Sequence, residues 1–203
     1  MILVRKDIHG YAFGAPEVPA SPISLQELEQ LKISVGFSEE DADNLVRAGK
    51  VLADQTKAIV DHWRSGIIAS IPHLARHSRD LDGHALPDYL AKSNRRFEQW
   101  ILDTCFRPYD QDWLNYQQEI ALRHTSVKKN QTDQAKSTPY IPLRDIIAFI
   151  TVMNDTIKPY LAAKGNTVDE VEKMHTSWRR SMQLQIALFA KPYADPVLAL
   201  DEW

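Results

Sequence analysis

Apolar residues recur with the period of an α-helix over most of the chain. The first run follows Ser24 and Glu27, whose spacing is that of a capping box, and it predicts a short helix. A second run begins after Ser38 with an acidic first turn and reaches Trp63, which predicts one long helix or two in series. The strict alternation of a half-buried strand is not evident in the sequence.

Amphipathic helices are also predicted in the middle of the chain. One covers residues 89–105, and the next is capped by Asp110 and carries Ile120 and His124 on roughly one face. The polar stretch at 128–138 ends that helix.

Two further helices complete the pattern. Pro142 begins the first, and Pro159 and Gly165 are expected to stop it. Thr167 and Glu170 form another capping box, which opens a final long helix.

Residues 1–23 differ from the rest because glycines and prolines discourage regular structure there. Ile8, Tyr11 and Phe13 offer apolar anchors, so the segment is predicted to be an extension wrapped on the core. Residues 24–203 are predicted to form one all-α domain of six to eight helices, since 203 residues are short for two domains.

The composition narrows the class of protein. A net charge of -3 gives no general reason to bind nucleic acid or an anionic membrane, and no stretch approaches the roughly 20 apolar residues of a membrane span. The single cysteine, Cys105, cannot form an internal disulfide and is interpreted as a core residue. The N-terminus lacks the apolar run of a signal peptide, so a cytoplasmic location is expected.

Histidine supplies the main candidate chemistry. Of the 7 histidines, His124 is distinct because it follows Ile120 by about one turn on a core-facing helix. Spacing alone favours a hydrogen-bonded packing role and leaves metal ligation open. Metalloprotease, nucleophile-elbow and phosphate-loop motifs are not present in the sequence.

A resemblance to a known family adds to this picture. It begins at residue 95 with the stretch RRFEQWILDTCFRPYDQDWLNYQQEIALRHTSVKKNQTD, and shorter matches are IHGYAFG, IPLRDIIAFI, IKPYLAAKG and DEVEKMHTSW. These segments resemble the protoglobins, single-domain globins related to globin-coupled sensor domains. The resemblance implies a globin fold (a helical sandwich) for residues 24–203, with the 1–23 extension and an extra N-terminal helix, and haem b as cofactor.

The resemblance also implies the residues of the site. The histidine of the LRH tripeptide ligates haem iron in that family, and here it is His124, which leaves the sixth coordination position to a gas. The expected haem contacts are Trp63, Arg64, Ser93, Phe97, Ile120, Ile141, Phe149 and Met153.

The chain departs from the family pattern after Trp63. Family members commonly place a tyrosine directly after this tryptophan, whereas Arg64 and Ser65 follow it here, and the spacing to Pro72 is one residue longer. Which of Trp63, Arg64 and Ser65 faces the ligand stays open. An inward Arg64 needs a haem propionate or another anion as partner, and the alternative is a solvated arginine on the helix rim.

The function implied is reversible binding of O2, CO and NO for gas sensing or scavenging. One alternative is a haem redox enzyme acting on nitric oxide, peroxide or other small reactive substrates, with carbene-type chemistry as a side activity, and another is a haem-free helical interaction module. No second domain follows the globin segment in this sequence, so a separate signalling or reductase partner is expected. A homodimer through the last two long helices is also expected, with Trp178, Met182 and Leu188 supplying apolar surface.

Overall fold

A computed structural model describes residues 8–194, and this part of the chain is all-helical. Its eight α-helices are α1 Leu25–Val35, α2 Glu39–Leu52, α3 Thr56–Asp61, α4 Pro72–Ala75, α5 Pro87–Phe106, α6 Gln111–Leu122, α7 Leu143–Ala162 and α8 Val168–Tyr193. Within residues 8–194 the extended pairings are two isolated bridges, Arg79 with Ala85 and Asp80 with Ser137. The predicted all-α class is confirmed.

The helix starts follow from the local sequence. Both the Ser24 and the Thr167 capping boxes form, and the Asp110 carboxylate accepts the N–H of Trp113 at 3.0 Å to open α6. The run between Ser38 and Trp63 folds as two helices in series, α2 and α3.

Helix α3 continues directly into a π-helix, His62–Ile67. A π-turn holds one residue more than an α-turn, which is consistent with the longer spacing between Trp63 and Pro72. This short element determines which way the residues after Trp63 face.

Two expectations about helix ends are wrong. Pro159 does not stop α7, which continues to Ala162, because Ile157 and Leu161 on either side of it are fully buried and their burial outweighs one lost hydrogen bond. His124 is not part of α6, which ends at Leu122; it lies in the following turn, where its N–H donates to the Ala121 carbonyl at 2.9 Å.

The core lies mainly between α2, α5, α7 and α8. Trp178 and Met182 are 0% exposed and Leu188 is 4% exposed, so all three are buried inside the protomer. The expectation that they offer apolar surface to a second copy is therefore wrong. Cys105 is also buried, and this burial raises the pKa of its thiol, as expected of a core residue.

The N-terminal segment at 8–23 lies over α5 and α6 without forming a helix. Ile8 is buried, the Tyr11 hydroxyl donates to Asp103 at 2.7 Å, and the Phe13 ring meets the Tyr116 ring edge-on at 5.4 Å. The expected extension also includes residues 1–7, which lie outside the described residues. None of the described helices is long and apolar enough to cross a membrane.

Candidate functional site

A largely apolar cavity of about 250 Å³ lies between the π-helix, α5, the end of α6, α7 and α8. All of the predicted haem contacts except Trp63 line this cavity, together with the predicted ligand: Arg64, Ser93, Phe97, Ile120, His124, Ile141, Phe149 and Met153. Elements far apart in the sequence thus bring the predicted residues to one place.

Trp63 lies behind the cavity wall. It is fully buried, its ring centroid is 5.2 Å from that of Phe97, and its Nε1 donates to the Thr156 hydroxyl at 2.7 Å. Ser65 is exposed and does not line the cavity. Of the three residues that the sequence left open, Arg64 is the one in the cavity wall.

His124 is held in one tautomer. Its Nδ1 lies 2.8 Å from the Ile120 carbonyl, an acceptor, so Nδ1 carries the proton and the lone pair is on Nε2. Burial lowers the pKa of His124 to about 4, and the positive charges of Lys129 and Arg64 act in the same direction. The imidazole is therefore neutral near pH 7, which is the form that binds a metal. The backbone N–H of Ile141 donates to the His124 carbonyl at 2.8 Å and holds the turn in place.

Arg64 enters the cavity wall without a polar partner. It makes no hydrogen bond or ion pair to any residue in the described part of the chain, and its Nε is shielded from solvent. The guanidinium carbon lies 5.2 Å from the centroid of the Phe97 ring. Burial lowers the pKa of Arg64, and the neighbouring charge of Arg96 adds to this effect. Arg64 is half-buried, so it is neither a fully solvated arginine on the helix rim nor a fully buried one.

Ser93 uses its hydroxyl within α5. The hydroxyl donates to the Leu90 carbonyl at 3.2 Å, and the residue is buried. A ligand in the cavity therefore finds space beside Ser93 rather than a free donor.

Several charged residues that line the cavity were missed at the sequence level. Arg96 donates to Asp133 at 2.5 and 3.1 Å, and Arg123 donates to Glu119 at 2.8 Å. The same two arginines donate to the carbonyls of the N-terminal segment, at His9 (2.8 Å) and Gly10 (2.7 Å). The spacing of Arg123 and Glu119 signals a helical ion pair, but nothing in the sequence pattern links residue 96 to residue 133.

A second group of cavity-lining polar residues surrounds His77. Lys129 is 6% exposed and donates to the His77 carbonyl and to the Tyr89 hydroxyl, both at 3.2 Å. The Nδ1 of His77 is 2.7 Å from the Thr138 hydroxyl, and its Nε2 is 3.6 Å from Asp145. Burial and the charge of Arg76 lower the pKa of His77 to about 4.

An all-helical fold around an apolar cavity, with the neutral imidazole of His124 in the cavity wall, is the arrangement found in globins. The protoglobin family model matches residues 24–197, which is most of the chain, so the chain belongs to the protoglobin family. Membership implies globin-type haem and gas binding. A comparison with curated proteins finds no match.

The residues in the cavity fit a haem. The neutral His124 imidazole offers one nitrogen donor, Phe97, Phe149 and Met153 supply apolar surface, and basic side chains provide charge opposite to that of the propionates.

Proposed function

We propose that this chain binds haem b through Nε2 of His124 and reversibly binds O2, CO and NO in the same cavity. The observation that carries the proposal is the state of His124, a neutral imidazole whose Nδ1 is committed to the Ile120 carbonyl and whose Nε2 is left to a metal. Haem, when bound, supplies an iron with a coordination position for the gas.

The other residues of the cavity limit the access of water and fix the orientation of the His124 imidazole. The apolar side chains of Phe97, Phe149 and Met153 disfavour water and charge separation in the cavity. The hydrogen bond from His124 to Ile120 keeps the imidazole from rotating and raises its basicity as a ligand. One buried cysteine without a CxxCH motif provides no covalent attachment of a c-type haem, and this supports the proposal of haem b.

The test is an absorption spectrum of the haem-reconstituted protein and of His124→Ala. We expect an intense Soret band that shifts with carbon monoxide in the wild type, and loss of haem or of the histidine-ligated ferrous spectrum in the variant. Added imidazole should restore that spectrum, because it fills the space left by the side chain. His73→Ala, a change at an exposed histidine, is the matched control. A His124→Ala protein that keeps the wild-type haem content and ferrous spectrum without imidazole would refute the assignment.

The proposal extends to gas sensing or scavenging with a separate signalling or reductase partner, and to a homodimer. Turnover of nitric oxide or peroxide by the haem-loaded protein would favour the redox-enzyme alternative. Sedimentation at micromolar concentration tests the homodimer, and a monomer alone would argue against it.

A further inference from the structure

The basic side chains around the cavity differ in how their charge is balanced. Arg96 lies against Asp133, and Arg123 lies against Glu119. Lys129 has no carboxylate but satisfies its ammonium group with the His77 carbonyl and the Tyr89 hydroxyl. Arg64 has neither a carboxylate nor a hydrogen-bond acceptor among residues 8–194.

An unpartnered guanidinium in a protein wall is costly. Arg64 is half-buried, and its Nε is shielded from water without an acceptor, which costs free energy that the Phe97 ring offsets only in part. A chain that places such a group in a cavity gains most when an anion enters beside it, because hydrogen bonds between ionised partners are about twice as strong as neutral ones.

Arg64 and His124 belong to the same cavity although they come from the π-helix and from the turn after α6. Phe97 and Phe149 also line the cavity. Their side chains have no carboxylate or other polar group that would pair with Arg64 in place of an anion.

We propose that Arg64 makes this cavity a site for small monoanions of the azide, cyanide and nitrite class, which it binds together with the metal held by His124. The inference rests on the proposed haem binding and adds a ligand class to it. A neutral gas gains less from a guanidinium than an anion does, so Arg64 shifts the preference of the site toward anions.

The test is a titration of the ferric, haem-loaded protein with sodium azide, followed by the shift of the Soret band. For Arg64→Leu we expect the Kd for azide to rise about 10- to 100-fold, the range that loss of a charge-assisted hydrogen bond gives. Arg64→Lys should recover part of the affinity because it keeps the charge. Carbon monoxide binding to the ferrous protein, the neutral comparison, should change less than the azide affinity does.

The matched control is Arg95→Leu, which removes the same charge from an exposed position on α5. It should leave the azide Kd unchanged. An equal loss of azide affinity in this variant would overturn the proposal, because the effect would then come from the overall charge of the protein and not from Arg64 in the cavity. One further measurement does not depend on ligand binding: the melting temperature of the haem-free Arg64→Leu protein should equal or exceed that of the wild type.

Faster haem loss with an unchanged azide Kd would overturn the proposal and assign Arg64 to a haem propionate. A wild-type protein with no Soret band after reconstitution would defeat the haem proposal itself. The two failures are therefore distinguishable.

Discussion

At the scale of single residues, His77 is a buried histidine that folding keeps neutral. Its pKa is lowered to about 4 by burial first and then by the charge of Arg76, while Asp145 offsets part of the effect. The unfolded chain takes up a proton near pH 6.5, which the folded protein does not do until about pH 4. The stability that this histidine contributes is thus present above pH 6.5 and is lost as the pH falls through that window.

We therefore predict that His77→Gln, which does not titrate, loses less stability in acid than the wild type. Between pH 7 and pH 4.5, the free energy of unfolding of the wild type should fall by about 2 kcal/mol more than that of the variant. Urea unfolding at both pH values measures this difference. His73→Gln, at an exposed position four residues earlier, should keep the wild-type pH dependence. Parallel pH profiles for wild type and His77→Gln would contradict the prediction.

At the scale of elements, α7 contains a proline that its packing tolerates. Pro159 is exposed and removes one helical hydrogen bond, while Ile157 and Leu161 are fully buried. We predict that Pro159→Ala raises the free energy of unfolding by about 1 to 2 kcal/mol, less than the full cost of an interior proline because the unfolded chain also gains freedom.

Chemical denaturation of the wild type and of Pro159→Ala measures this difference in the free energy of unfolding. The reverse substitution in the same helix, Ala148→Pro at an exposed position, should lower stability by about 3 kcal/mol or more. If Pro159→Ala proves destabilising, the proline is part of a required helix shape and the argument from hydrogen bonding fails.

At the scale of the whole molecule, the N-terminal segment is attached to the cavity wall, because Arg96 and Arg123 both line the cavity and donate hydrogen bonds to carbonyls of that segment. Gly10 has φ +71° and lies so close to Thr132 that a Cβ would clash with its methyl group. We predict that Gly10→Ala displaces the segment and makes haem loss several-fold faster.

Transfer of haem to an excess of an apo-acceptor protein measures that rate. Gly14→Ala is the matched control, because Gly14 has the same φ of +71° but the nearest atom to an added Cβ is an Asp112 oxygen at 3.8 Å. Equal rates in the two variants would show that backbone strain alone, and not the contact with Thr132, sets the effect.

The sequence by itself determined the features that depend on neighbouring residues. Capping boxes at Ser24 and Thr167 and the cap at Asp110 mark helix starts, because a side chain within three residues satisfies the free N–H groups. The LRH tripeptide singled out His124 through resemblance to a family, which the match over residues 24–197 confirms as the family of this chain.

Only the tertiary structure decided the surroundings of these residues. The direction of Arg64 depends on a π-turn and on Phe97, more than 30 residues later, and the partner of Arg96 is Asp133. The burial of Trp178 inside the protomer and the continuation of α7 past Pro159 were likewise set by packing between helices. Helical periodicity says which face of a helix is apolar, but it does not say which distant element covers that face, and that contact decides the burial, charge balance and pKa of the site.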